Sequence, residues 1–202
     1  MTHPSIAADR RMPLAAALEA LVAVRTDEIV VTTMGSAREW PKLSKHPLDF
    51  QYLPSAMGHA PMIALGLALA QPKRRVLCFT GDGGLLMSLG CLVTVAAARA
   101  TNLTVVVLDN SLYEVTGGQA TAGTACDFAG IARSSGFATA ERYEELAAWK
   151  SAVAGLWQKP GPRFVQLRVE SVGDAYALPA PTPIVERIAK FRTALTGTVL
   201  TD

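Results

Sequence analysis

The chain has 202 residues, half of them apolar and 18% charged, with 19 basic against 17 acidic side chains. That composition suits one globular domain burying roughly 70% of the surface its unfolded chain exposes. A net charge of +2, with no basic run longer than Lys73-Arg74-Arg75, removes the electrostatic case for nucleic acid, and no apolar stretch reaches the roughly 18 residues of a membrane span.

From the N-terminus, Arg10-Arg11 ahead of Met12–Val24 imitates a signal segment, but Glu19 interrupts the apolar run, which suits an amphipathic helix over 13–24. A strand at 28–33 follows and ends in a turn at Met34-Gly35-Ser36. Residues 37–54 read as a long charged connection with a short strand at 50–53. A buried helix at 56–70 stops before Pro72, then come a strand at 75–80 and a nearly uncharged helix at 86–100. Val105-Val106-Val107, within a strand at 103–108, is the unbroken β-branched run of a parallel strand covered on both faces. A helix at 128–135, a strand at 138–141, a helix at 143–158 and a strand at 163–169 complete the pattern. The tail from Ser171 carries Pro179, Pro181 and Pro183 before a helix at 184–195. Strands joined by helices imply right-handed crossovers and an α/β fold, a doubly wound parallel sheet with helices on both faces. We expect a single domain over residues 1–202, with 171–202 as its C-terminal tail. Cys78, Cys91 and Cys126 form no CxxC pair, so neither a disulfide framework nor a zinc or iron–sulfur set is expected. A cytoplasmic protein, neither exported nor membrane-anchored, is the expectation.

Ligands of such a sheet sit beyond the carboxyl ends of its strands. Gly81-Asp82-Gly83-Gly84 closes one strand with glycines that let backbone N–H groups approach an anion. Asp109-Asn110-Ser111-Leu112 closes the next strand. Asn110 follows Asp82 by 28 positions, one helix and one strand, which brings a carboxylate and an amide oxygen to adjacent strand ends. Hard oxygen ligands suit Mg²⁺ or Ca²⁺, and Mg²⁺ completes its shell with phosphate oxygens and water.

These residues resemble the signature of the thiamine diphosphate enzymes. The resemblance implies that Asp82, Asn110 and the Leu112 carbonyl hold Mg²⁺ against the diphosphate, beside Gly81, Gly83, Gly84 and Tyr113. Ser55-Ala56-Met57-Gly58-His59 lies where that family places the bulky side chain bending the cofactor. Carried over, that side chain is Met57, next to Gly58, and the Ser55 carbonyl accepts from the aminopyrimidine. Gly35-Ser36 resembles the loop that donates to the diphosphate. Ile63-Ala64-Leu65-Gly66-Leu67, Leu85-Leu86-Met87-Ser88-Leu89-Gly90 and Tyr113-Glu114-Val115-Thr116-Gly117-Gly118-Gln119 are similar to the phosphonopyruvate and sulfopyruvate decarboxylases, whose split forms carry this domain as a β subunit. Asp109 and Glu114 depart from commoner members, which often have Asn and a small residue there.

The resemblance implies a catalytic Glu on a pyrimidine-binding domain. No second α/β unit of that size fits in this chain, so the expected partner is an α subunit in a hetero-oligomer, with a small 2-oxo acid as substrate. The candidate catalytic residues are Met57, His59 and Glu114. Each has a plainer reading: Met57 as core packing, His59 as a structural histidine, Glu114 as one half of an exposed loop salt bridge. Arg38, Lys42 and Lys45 could meet a phosphonate or sulfonate, or form a solvated loop. Two other functions stay open, a carboligase of the acetolactate synthase kind and a non-catalytic module that keeps the fold.

Overall fold

The computed structural model describes residues 11–53, 55–173 and 182–197. In chain order the elements are α1 (Leu14–Val22), β1 (Ile29–Thr32), α2 (Met34–Leu43), β2 (Asp49–Gln51), α3 (Ala60–Ala70), β3 (Val76–Gly81), α4 (Asp82–Met87), α5 (Cys91–Ala97), β4 (Leu103–Asp109), β5 (Leu112–Tyr113), β6 (Gln119–Ala120), α6 (Phe128–Ser135), β7 (Thr139–Tyr143), α7 (Leu146–Val153), β8 (Arg163–Arg168) and α8 (Ile184–Thr196). Six strands form one parallel sheet in the order β2-β1-β3-β4-β8-β7, and β5 and β6 make a separate antiparallel ribbon.

Alternation along the strands feeds two cores. Ile29, Val31, Val76, Cys78, Val105, Val107 and Phe164 pack with α3, α5, α6 and Phe191 of α8. Val30, Leu77, Phe79, Val106, Leu108, Val165 and Leu167 pack with α1, α2 and α7. Helices therefore cover both faces, as the unbroken apolar runs of β3 and β4 demand. Among the described residues no helix is long and apolar enough to cross a membrane.

Several elements differ from the sequence reading. The supposed turn at Met34-Gly35-Ser36 is the first turn of α2, and much of the expected 37–54 connection is helix. Pro41 sits inside α2 and cannot donate to the Ala37 carbonyl; Gln51 Nε2 takes that acceptor at 2.7 Å, so the helix continues. The helix expected at 56–70 begins only at Ala60, after a turn at Gly58 (φ 86°). The helix expected at 86–100 is two helices, α4 starting at Asp82 itself and α5 after a break at Ser88–Gly90. The helix expected at 143–158 is the shorter α7 followed by a 3₁₀ turn, Leu156–Gln158, while β7 runs on to Tyr143. In the tail, Pro179 and Pro181 lie outside the described residues. α8 packs on β2, with the Phe50 and Phe191 ring centroids 5.0 Å apart and Arg187 donating to the Gln51 carbonyl.

The chain runs from β1 outward to β2 and then returns to place β3 on the other side of β1. The connections leaving β1 and β3 thus diverge, which opens a crevice at their carboxyl ends.

Candidate functional site

That crevice holds a cleft with about 740 Å³ of empty space, part of it open to solvent. Gly35, Ser36, Met57, Gly58, Gly81, Asp82, Gly83, Gly84, Asn110, Leu112, Tyr113 and Glu114 all line it. The residues come from four separate stretches of chain. Ser55 and His59 are not among the lining residues. Ser55 Oγ accepts from Thr33 Oγ1 at 2.9 Å, and exposed His59 keeps Nδ1 3.1 Å from the Met57 carbonyl oxygen.

The register of β3 and β4 pairs Gly81 with Leu108, so Asp82 and Asn110 leave neighbouring strand ends. Asp82 is 1% exposed, and the Thr121 hydroxyl donates to its Oδ2 at 2.6 Å. Burial pushes its carboxyl up; the Thr121 hydrogen bond pulls down, and the charge of Asp109 pushes up again. Leu112 sits in the ribbon between two backbone bonds, Thr121 N–H to Ser111 C=O and Gly118 N–H to Tyr113 C=O. Its own peptide groups therefore face away from the partner strand, and its N–H donates to Asn110 Oδ1 at 3.0 Å. A cation here would meet one carboxylate, one amide oxygen and one carbonyl. No cluster of three His, Cys, Asp or Glu side chains that could hold a metal exists among the described residues, so this hard-oxygen set, matched to Mg²⁺ rather than to zinc or iron, is the one the cleft offers.

Two glycines make room for the cleft. A Cβ on Gly83 would lie 2.6 Å from the Tyr113 ring, and one on Gly58 would lie 2.9 Å from both the Gly84 carbonyl and Ser88 Oγ. The Met57 turn is thereby seated directly on α4, leaving the Met57 side chain 41% exposed at the cleft. At the start of α2, Ser36 Oγ accepts from Thr33 N–H at 3.0 Å and donates to the Thr33 carbonyl. The Ser36 N–H in turn caps onto the Thr33 side chain, so the donors left to an anion at this end are the backbone N–H groups that precede it.

Other residues were not legible beforehand. Thr121, Gly123 and Glu170 either lie against Asp82 or line the cleft and belong to no local motif, while Met34 and Met87, inside motifs already noted, also line it. Glu114 is half-buried and forms no ion pair among the described residues. Its carboxylate accepts from Asn110 Nδ2 and from the N–H groups of Val172 and Gly173. Arg38 and Lys42 both bridge to Glu39 at 2.8 Å. Asp109, the unusual acid, accepts from Arg168 at 2.9 Å, Gln166 at 2.7 Å and Ser111.

Residues 28–167 match the family model for the thiamine pyrophosphate enzyme, C-terminal TPP binding domain. The chain belongs to this family. It is 39% identical over 155 residues to the sulfopyruvate decarboxylase subunit beta of Methanothermobacter thermautotrophicus, covering 76% of this chain and 80% of that one. It is 36% identical over 191 residues to the phosphonopyruvate decarboxylase of Streptomyces hygroscopicus, covering 94% of this chain but 46% of the relative, so the chain spans less than half of that protein. Among solved structures, benzoylformate decarboxylase from Polynucleobacter necessarius superposes with a TM-score of 0.65 at 21% identity, over 84% of this chain and 35% of that one, a likeness of fold. The thiamine diphosphate cofactor expected from the sequence is the family's own.

Proposed function

We propose that this chain is the β subunit of a two-subunit, Mg²⁺- and thiamine diphosphate-dependent decarboxylase that converts an acidic 3-substituted pyruvate, sulfopyruvate or phosphonopyruvate, to the aldehyde and CO₂. The observation that carries the reading is Asp82 and Asn110 at paired strand ends in one cleft, with the Leu112 peptide turned toward Asn110. In this reading Asp82, Asn110 and the Leu112 carbonyl hold Mg²⁺, and the backbone N–H groups at Gly35 and Gly84 receive the diphosphate. Thiamine diphosphate, when bound, supplies the electron sink for loss of CO₂.

The chain's own share is to bind and orient. Met57 braces the cofactor, held at the cleft by the glycine turn behind it. His59, turned back on the Met57 carbonyl, takes no part in the chemical step, and Arg38 and Lys42, tied to Glu39, are not the first contacts of the substrate head group. The working form is a cytoplasmic hetero-oligomer whose α subunit contributes the pyrimidine-binding domain and the catalytic Glu. A relative that is named subunit beta and matched over most of its length supports the two-chain arrangement.

Co-expression with a chain that carries a pyrimidine-binding domain, followed by assay of CO₂ release from sulfopyruvate and phosphonopyruvate, tests this. Release that requires both Mg²⁺ and thiamine diphosphate is expected. Cofactor binding without turnover of either acid would overturn the substrate assignment.

A further inference from the structure

Three N–H donors converge on the Glu114 carboxylate from two distant parts of the chain. Asn110 Nδ2 donates to Oε2 at 3.0 Å, while the backbone N–H groups of Val172 and Gly173 reach Oε1, the latter at 3.3 Å. The Val172 carbonyl is itself held by Arg38 Nη2 at 3.1 Å, which fixes the segment that Glu114 grips. A carboxylate can only accept, so it admits one orientation of the Asn110 amide, nitrogen toward Glu114 and oxygen away. Leu112 N–H enforces the same choice from the other side by donating to Oδ1.

We propose that Glu114 is a positioning residue that fixes which face of the Asn110 amide meets the cation. This rests on the reading of the cleft as a Mg²⁺–diphosphate site and adds to it the reason an acid stands at position 114. Asn110 is 9% exposed, and an amide in such a place rotates to suit whichever partners surround it. With the nitrogen inward, the cation would meet an NH₂ group that has no lone pair to offer. Glu114 prevents that rotation and anchors the orientation to the backbone that follows β8.

Glu114→Gln separates this role from simple packing. Glutamine is nearly the same shape but offers one oxygen and one NH₂ group to three donors. If its oxygen serves Val172 and Gly173, its nitrogen faces Asn110 Nδ2, donor against donor. Rotation of Asn110 relieves the clash and withdraws the oxygen ligand. Adding Asn110→Asp restores the contact with reversed polarity, the new amide at position 114 donating to a carboxylate at position 110 that presents oxygen on either face.

The test is Mn²⁺ binding in the presence of thiamine diphosphate, followed by electron paramagnetic resonance on the full chain co-expressed with its pyrimidine-binding partner, with thermal melts of the metal-free proteins to verify folding. E114Q is expected to bind Mn²⁺ about 10–100-fold more weakly, the usual effect of removing a residue that orients a metal ligand. The double variant N110D/E114Q is expected to return to within about threefold of wild type. Unchanged Mn²⁺ affinity in folded E114Q overturns the proposal, and so does a double variant that binds no better than E114Q. Should E114Q melt below the assay temperature, Glu114→Ala replaces it. That variant removes the acceptor without adding a donor, so a loss of about threefold or more is expected and no loss overturns the proposal. A wild-type two-chain complex that binds no Mn²⁺ with the cofactor overturns the reading of the cleft beneath it.

Discussion

Asp82 and Asp109 are buried carboxylates at the carboxyl ends of neighbouring strands, and the protein treats them in opposite ways. Asp109 is wholly buried and compensated from within: Arg168 and Gln166 donate to Oδ2, and Ser111 donates twice to Oδ1. Asp82 has the Thr121 hydroxyl and no cationic side chain against it among the described residues. A buried charge that its own chain neutralises belongs to the architecture. One that meets only neutral donors, the Thr121 hydroxyl and the backbone at Asp82 and Gly83, at the wall of a cleft is, in the proposed reading, held for a cation, because isolating an ionised carboxylate costs several kcal/mol that only a counter-charge recovers.

The largest effect that separates the two is on cofactor retention. Asp82→Ala is expected to abolish Mg²⁺-dependent binding of thiamine diphosphate in isothermal titration, and retained binding would erase the distinction. Next, Arg168→Met strands Asp109 without its cation, and breaking a buried pair from one side costs about 3–5 kcal/mol. At roughly 2–4 °C per kcal/mol for a domain of this size, the melting temperature should fall by about 6–20 °C, while Mg²⁺ still binds the folded fraction. The smallest effect is the most diagnostic. Burial holds the Asp82 carboxyl above its ordinary value, so in metal-free protein its contribution to stability is fully present below the ordinary carboxyl range and is lost as pH rises through the raised value. Asp82→Asn, whose amide oxygen still accepts from Thr121, should therefore raise the metal-free melting temperature at pH 7. The gain should vanish on acidification, and a drop in melting temperature at pH 7 would mean Asp82 is structural after all.

The sheet was readable because β3 and β4 are dominated by apolar residues, with Gly81 and its neighbours closing β3 and the polar Asp109-Asn110-Ser111 closing β4. The same strand ends exposed the Asp82–Asn110 pairing, since one helix plus one strand is the repeat of a parallel sheet. α2 was hidden by Pro41 and by charges, and what sustains it, Gln51 on the carbonyl that proline leaves free, is a contact no local pattern contains. The α4–α5 break was read through because Ser88 and Gly90 are isolated and uncharged in an otherwise apolar run, and the backbone at Gly58 packs closely against Gly84 and Ser88 there. Glu114 read as an exposed loop acid because its partners Val172 and Gly173 lie 58 and 59 positions further along. Asp109 carried a sequence signal in its departure from the family's usual Asn; its meaning lay in Arg168, 59 residues away.

The grip of Glu114 on Val172 also bears on how the protein is made. The Asn110 carbonyl is held by Arg11, 99 positions earlier, and its side chain is tied through Glu114 to backbone that leaves the ribosome some 60 residues later. Contacts this far apart in sequence close late in folding. A nascent chain that has not reached Gly173 lacks the backbone that holds Glu114 and keeps only the Leu112 N–H on its Asn110 amide, so in the proposed reading the cation finds a fully ordered partner only when the segment after β8 is in place. From then on, ligand present at 100 times its dissociation constant adds about 2.7 kcal/mol, and it adds this to the finished fold alone. Cofactor supply during synthesis would thus select for completed molecules, leaving stalled or truncated chains to unfolding and proteolysis.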